Sequence, residues 1–409
     1  MIFSNKQHQT IHHYGLMLFA FLLPLSAKIA TWFIVLLLLN WLLGLPSNKT
    51  LNQLKTTGPL LLLLFFAWHL LALIYTQDIG MGFHKLETKL SLLIFPLLLT
   101  SSYEEKSTAP ASWHWAFVLG NGLAALLSLG AATWSFLATG ENLFFYQNLS
   151  GFLRLHPTYF AANLGLALFF LIQDRLLFAD HRSLAKGLLI ILLAVTFLLL
   201  SARMAFVAVI LLGMISWIAY AVGRPGFFKR SAVGLGFLGL VITLLLLLPG
   251  PGSRIQRAIE NNTSGPGNVR FQIWDAAWDL IQEAPLIGLG TGDAPSNLLE
   301  QYQQLDYQTP FEKKLNAHNQ YIQNALAIGI PGSLFWLSTL LFFLRTFLRK
   351  REFAGAFFIG LCLLLFLTES MLETQKGNLW FGFFCMLFWI RSQSSQLSTP
   401  FSKDFLFIR

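Results

Sequence analysis

Four residues in this chain have side chains able to grip and activate a substrate, and each interrupts apolar surroundings. They are Arg154 in LSGFLRLHPTYFAANLG, Arg203 in LLLSARMAFV, Arg270 in NVRFQIWDAAWDLIQEAPLIGLGTGD and His318 in KKLNAHNQYIQNALAIGIPG. A guanidinium binds carboxylate or phosphate through paired hydrogen bonds and keeps its charge at any physiological pH. An imidazole takes up and releases a proton near neutrality. Three cations and one base converging on one place would suit transfer of a group away from an anionic carrier. Each alone has a plainer reading: an arginine at a span end is an interfacial anchor, and a histidine there hydrogen-bonds at the lipid–water boundary.

The stretch around His318 raises its own question. Asn316, His318, Asn319, Gln320, Gln323 and Asn324 fall where an apolar helix begins. Each must find a partner or stay in water, because burying one unpaired costs several kcal/mol. With a helix starting near Asn316, His318, Tyr321, Ile322 and Ala325 share a face, with Asn319 and Gln323 beside it. A histidine in a first turn faces the positive end of the helix dipole, which favours the neutral imidazole that a general base needs.

Upstream, Arg270, Trp274, Ala277, Trp278 and Ile281 recur at helical spacing, while Asp275, Asp279 and Gln282 fall on another face. This predicts an amphipathic helix lying on the membrane surface, Trp side down, with Arg270 in its first turn on the buried side. An anion set against Arg270 would gain from the guanidinium and the free backbone N–H groups together. In the following PLIGLGTGD, Gly288, Gly290 and Gly292 permit tight turns. No strand precedes them, so the reading is a turn that redirects the chain, not a phosphate loop. Glu369 and Glu373, one turn apart in LTESMLETQKGNLWFG, could orient an arginine or the histidine, or be solvated.

Several chemistries have no residues to carry them. There is no HExxH or Cys/His spacing, so neither a metal nor a cofactor is indicated. No GxSxG supplies a serine nucleophile. Cys362 and Cys385 lie in apolar segments and suggest no disulfide framework.

The elements that must position these residues are membrane helices. Hydrophobic residues make up 55% of the chain and charged ones 11%, and the apolar residues come in long runs such as GPLLLLLFFAWHLLALIY. The expected fold is an all-α polytopic membrane protein with about twelve spans. They are placed at 13–27, 29–45, 59–76, 84–100, 114–137, 157–173, 185–200, 203–222, 232–248, 317–345, 353–368 and 377–392. The expected division is a bundle at 1–248, a periplasmic loop domain at 249–316, closing spans at 317–392 and a tail at 393–409. The N-terminus lacks a small-residue cleavage site and is read as the first span. Lysine and arginine concentrate in alternate loops, for example Arg345, Arg349, Lys350 and Arg351. This puts both termini in the cytoplasm and the long late loop outside. The formal charge of +9 is therefore a topology signal, and nucleic acid is not an expected partner.

The pairing of NVRFQIWDAAWDLIQEAPLIGLGTG with NAHNQYIQNALAIGIPG, in a polytopic chain with a long late outer loop, resembles the O-antigen ligase and O-antigen polymerase superfamily. The likeness is strongest over about residues 195–335. It implies an inverting, metal-independent glycosyltransferase of the GT-C type in the bacterial inner membrane, working at the periplasmic face. The implied donor is an undecaprenyl-diphosphate-linked glycan; the implied acceptor is a hydroxyl of lipid A–core for a ligase, or another lipid-linked glycan for a polymerase. By position, Arg203 and Arg270 would bind the diphosphate and His318 would assist the acceptor hydroxyl. Arg154 and His156 are weaker matches, and Asn316, Asn319, Gln320, Tyr321 and Gln323 would meet sugar hydroxyls. Ligase is the favoured reading, with polymerase the alternative. A secondary transporter, another class, would place ionisable groups or broken helices near the midplane.

Overall fold

The computed structural model describes residues 4–44, 52–101, 111–177, 184–221, 236 and 266–393. Every regular element among them is helical. Helix α1 (Asn5–Leu22) is followed by α2 (Ala27–Gly44), and α3 (Thr57–Leu71) runs on through a 3₁₀ turn at Ala72–Ile74. Then come α4 (Ile79–Lys89), α5 (Ser91–Ser101), α6 (Ala111–Thr139), the short α7 (Tyr146–Gly151), α8 (Pro157–Leu177), α9 (Leu184–Leu200) and α10 (Arg203–Ala221). A polar group of three follows, α11 (Pro266–Glu283), α12 (Ala294–Gln304) and α13 (Gln308–Glu312). The chain closes with α14 (Gln320–Arg349), α15 (Phe353–Leu365) and α16 (Gln375–Gln393).

Four of the described helical stretches are long and apolar enough to cross a membrane: Ala27–Gly44, Thr57–Ile74, Trp113–Thr139 and Gln320–Arg349. Four shorter apolar ones are Pro157–Gln173, Leu184–Leu200, Arg203–Ala219 and Phe353–Leu365. Their side chains sort as lipid immersion demands. Trp32, Leu36, Leu39 and Leu43 on α2, and Val207, Leu211, Ile215 and Ile218 on α10, form exposed apolar stripes. A water-facing surface would not carry them. By contrast α16 is apolar on every side and buried from Gly377 to Trp389, so it is the axis of the bundle. Its Phe381 and Phe384 pack on Phe358 of α15 at ring separations of 6.0 and 5.7 Å. This is the build of a polytopic helical membrane protein.

The expected spans change in three places, and one expected span falls almost wholly outside the described residues. The first helix starts at Asn5, because Ser4 and Gln7 form a reciprocal cap on a polar opening turn. The span expected at 84–100 is two helices, α4 and α5, meeting at Leu90. The helix expected from 317 starts at Gln320, with Asn319 as its cap. The span expected at 232–248 lies outside the described residues except for Gly236, as do the loop before Pro266 and the tail after Gln393.

One helix is broken. Within α14, Ile328 and Gly329 leave helical geometry, with Gly329 at φ 75°. Pro331 follows; its missing N–H and its ring both oppose a continuous helix there. The freed backbone groups are taken up by the glycine-rich turn. Leu289 N–H donates to Leu326 O at 2.7 Å, Gly290 N–H to Ala327 O at 3.1 Å, and Ile330 N–H to Pro285 O at 2.8 Å. PLIGLG does turn the chain, and it also fills the notch in α14.

Candidate functional site

The site is organised by the irregular strap 366–374 between α15 and α16, which neighbouring elements hold almost residue by residue. Gln320 N–H donates to Phe366 O at 2.8 Å. The Asn319 amide donates to Leu367 O at 3.1 Å, and Asn319 N–H to Ser370 Oγ, also at 3.1 Å. Arg270 reaches Thr368 O at 3.4 Å. Leu372 N–H donates to Gln320 Oε1 at 2.7 Å. Tyr159 OH pairs with Thr374 Oγ1 at 2.8 Å. The strap's remaining acid, Glu373, closes a largely buried ion cluster with Lys85 and Lys89, each at 2.8 Å.

These contacts answer the question of the polar helix start. Asn319, Gln320, Gln323 and Asn324 are buried. Asn319 Oδ1 caps α14 by accepting from Tyr321 and Ile322 N–H. Gln320 Nε2 donates to Asn324 Oδ1 at 2.8 Å, and Gln323 Oε1 accepts from Ala317 N–H at 3.1 Å. Tyr321 OH donates to Leu363 O at 3.2 Å, and Asn316 Oδ1 holds His318 N–H at 3.0 Å. Asn319 and Gln320 are thus committed to the protein's own frame, and Asn316, Tyr321 and Gln323 each give it one polar atom.

His318 also moves relative to the expectation. It precedes the cap of α14 rather than sitting in the first turn, and it holds a left-handed φ of 44°. It shares no helix face with Tyr321, Ile322 and Ala325. Its neighbours fix it instead: Trp274 Nε1–H donates to Ala317 O at 3.0 Å, while Asn319 is held by the strap. The ring is about a third exposed, and its Nδ1 lies 3.6 Å from Glu369 Oε2.

Glu369 is the residue around which the charged groups gather. Its side chain is 15% exposed, not solvated, and Oε1 accepts from Thr158 Oγ1 at 3.3 Å. Burial pushes its carboxyl up, but His318, then His156 and Arg270, outweigh that and hold it below the ordinary value. His156 is held below its ordinary value, chiefly by burial; Glu369 opposes this, and His318 and Lys376 add to it. Its Nδ1 is buried without a hydrogen-bond partner.

The arginines reach this end of the bundle by different routes. Arg270 stands in the second turn of α11, which begins at Pro266, so the expectation of a first-turn position is corrected. The face of α11 that packs inward is Ile273, Ala276, Ala277, Leu280 and Ile281, against α12 and α14. Trp278 is exposed together with Phe271, and Trp274 is tied to Ala317, so no single Trp face lies down. Arg154 has a left-handed φ of 51° and an exposed side chain; its carbonyl accepts from Lys376 Nζ. Arg203 opens α10. Helix α9 returns packed along α8, and Phe197 and Phe206 stack at 5.9 Å across the break, so the chain reverses there. A continuous helix would set those two rings about 13 Å apart along its axis. Arg203 is thus carried back to the end where α8 starts beside His156.

The structure joins His318, His156 and Arg270 around one carboxylate and brings Arg154 and Arg203 to the same end. Thr158 and the pairing of Glu373 with Lys85 and Lys89 were illegible in sequence, and for Glu369 the sequence left open whether it orients the histidine or is solvated. For the two acids the only signal was a pair after an apolar helix, which reads equally as a solvated turn. Among the described residues, no group of three His, Cys, Asp or Glu is arranged to hold a metal ion.

No curated protein matches the chain. One family model does, described as O-Antigen ligase, over residues 188–337. That stretch contains Arg203, Arg270 and His318, and stops short of Glu369. Over residues 188–337, then, the chain is similar to the O-antigen ligase family.

Proposed function

We propose that the protein is a glycosyltransferase that moves a glycan from undecaprenyl diphosphate to a hydroxyl of lipid A–core, at the periplasmic face of a bacterial inner membrane. The observation that carries this is His318 facing Glu369 at 3.6 Å while Arg270 reaches the adjoining carbonyl of Thr368, both within reach of one end of the bundle. The family match over the segment that holds Arg203, Arg270 and His318 supports the same chemistry.

The steps follow from the groups present. The acceptor oxygen attacks C1 of the glycan as the C1–O bond to the diphosphate breaks, with inversion at C1. The acceptor proton passes to His318, a contribution on the order of 10²–10⁴-fold. Negative charge grows on the departing diphosphate, and arginines at the edge of a poorly hydrated site stabilise it better than water does. Arg203 and Arg270 take that part, with Arg154 beside them. The fold is GT-C type, of about twelve spans, with both termini cytoplasmic. A transporter is disfavoured by α14: the groups freed at its break are bonded to residues 285–290 of the same chain.

Polymerase is the competing reading, since both reactions need this chemistry. Deleting the gene separates them. A ligase mutant accumulates lipid-linked polymer unattached to core, whereas a polymerase mutant leaves core bearing one repeat. Long chains still reaching the core would refute the ligase reading.

A further inference from the structure

We propose that Glu369 is a positioning residue for His318. Its carboxylate fixes which ring nitrogen carries the proton and steadies the imidazolium formed when the acceptor is deprotonated. This rests on the function proposed above and assigns a role to a residue beyond the family-matched segment.

The geometry behind it is a bracket. Asn319, next to His318, is bonded to Ser370, next to Glu369, at 3.1 Å, and to Leu367 at the same distance. Gln320 ties both ends of the strap, accepting from Leu372 N–H and donating its own N–H to Phe366 O. The backbones bearing the imidazole and the carboxylate are thus joined on both sides of the pair. A casual surface ion pair has no such frame. At 3.6 Å the contact is longer than a closed hydrogen bond, a separation common before substrate tightens a catalytic site.

With a carboxylate at Nδ1, the proton resides on that nitrogen and Nε2 presents its lone pair to the acceptor. When Nε2 takes the acceptor proton, the ring becomes cationic beside a fixed anion, which lowers the energy of that state. Thr158 occupies Oε1 and so directs Oε2 at the ring. The charged and titratable groups facing the carboxylate are His318, His156 from the turn before α8 and Arg270 from α11. Lys376, from α16, acts on His156 and holds the carbonyl of Arg154.

The test is transfer by purified protein from an undecaprenyl-diphosphate-linked glycan, comparing Glu369→Gln, Glu369→Asp and His318→Ala. Glu369→Gln should retain KM for the donor within about twofold and lose kcat by on the order of 10²-fold. Glu369→Asp should restore part of kcat, and the double variant should be no slower than His318→Ala alone. If His318→Ala is inactive while Glu369→Gln has wild-type kcat, the positioning role is wrong and the base assignment stands. If His318→Ala transfers normally, the base assignment itself fails. A Glu369→Gln protein with a lowered melting temperature, a raised donor KM and no rescue by aspartate would show a framework role instead and overturn the proposal.

Discussion

Gly288 and Gly329 meet backbone to backbone: a Cβ on Gly288 would lie 2.5 Å from the amide nitrogen of Gly329. Both have φ of 75°, a region L side chains enter only with strain. The contact locks the turn after α11 into the break in α14 and so couples the element carrying Arg270 to the one that follows His318.

Gly288→Ala should therefore destabilise the protein, by at least about 1–3 kcal/mol from backbone strain alone. Gly130→Ala, in α6 with nothing within 4 Å of an added Cβ, should be neutral or slightly stabilising. Thermal unfolding in detergent measures both. Equal melting temperatures for the two variants would contradict the interlock.

Lys89 is 1% exposed and Glu373 7%, so removing one partner leaves a buried charge alone. Glu373→Gln should cost about 3–5 kcal/mol, and the triple replacement of Lys85, Lys89 and Glu373 by apolar residues should cost less than that single change. A small effect of Glu373→Gln on unfolding would argue that water reaches the cluster.

Acid should weaken the strap. Burial raises the Glu373 carboxyl, but Lys89 and Lys85 outweigh it, and the folded protein holds both Glu373 and Glu369 below their ordinary value. Between the unfolded value of about 4.3 and the lower folded value, the unfolded chain binds more protons. This stability is therefore complete above about pH 5 and is lost as pH falls through the folded values. A melting temperature measured from pH 7 down to pH 3 should decline at the acid end, less steeply in Glu369→Gln.

His318→Ala and Arg270→Ala should fail differently. The first should abolish transfer while the donor still binds; the second should raise the donor KM, because the guanidinium is assigned to the diphosphate. Donor binding and single-turnover transfer by each purified variant separate the two. Chelation with EDTA should leave the rate unchanged, and strong inhibition would count against a metal-free transfer.

Composition and apolar runs were enough to specify a helical membrane protein and most of its helices, because a span needs only length and hydropathy, both local properties. The break at Ser201–Ala202 was legible for the same reason, whereas the first break was expected at Lys28 and falls between Leu22 and Ala27. What the polar residues do was decided only in three dimensions. Asn319 and Gln320 were read only as sugar-facing groups, yet they hold a strap whose sequence lies some fifty residues on, while Gln323 holds Ala317 N–H. Glu369 and Glu373 looked solvated, yet one meets His318 and the other two lysines from α4. Hydrogen bonds and ion pairs form between groups brought close by packing, and no local pattern states which distant partner a polar group will meet.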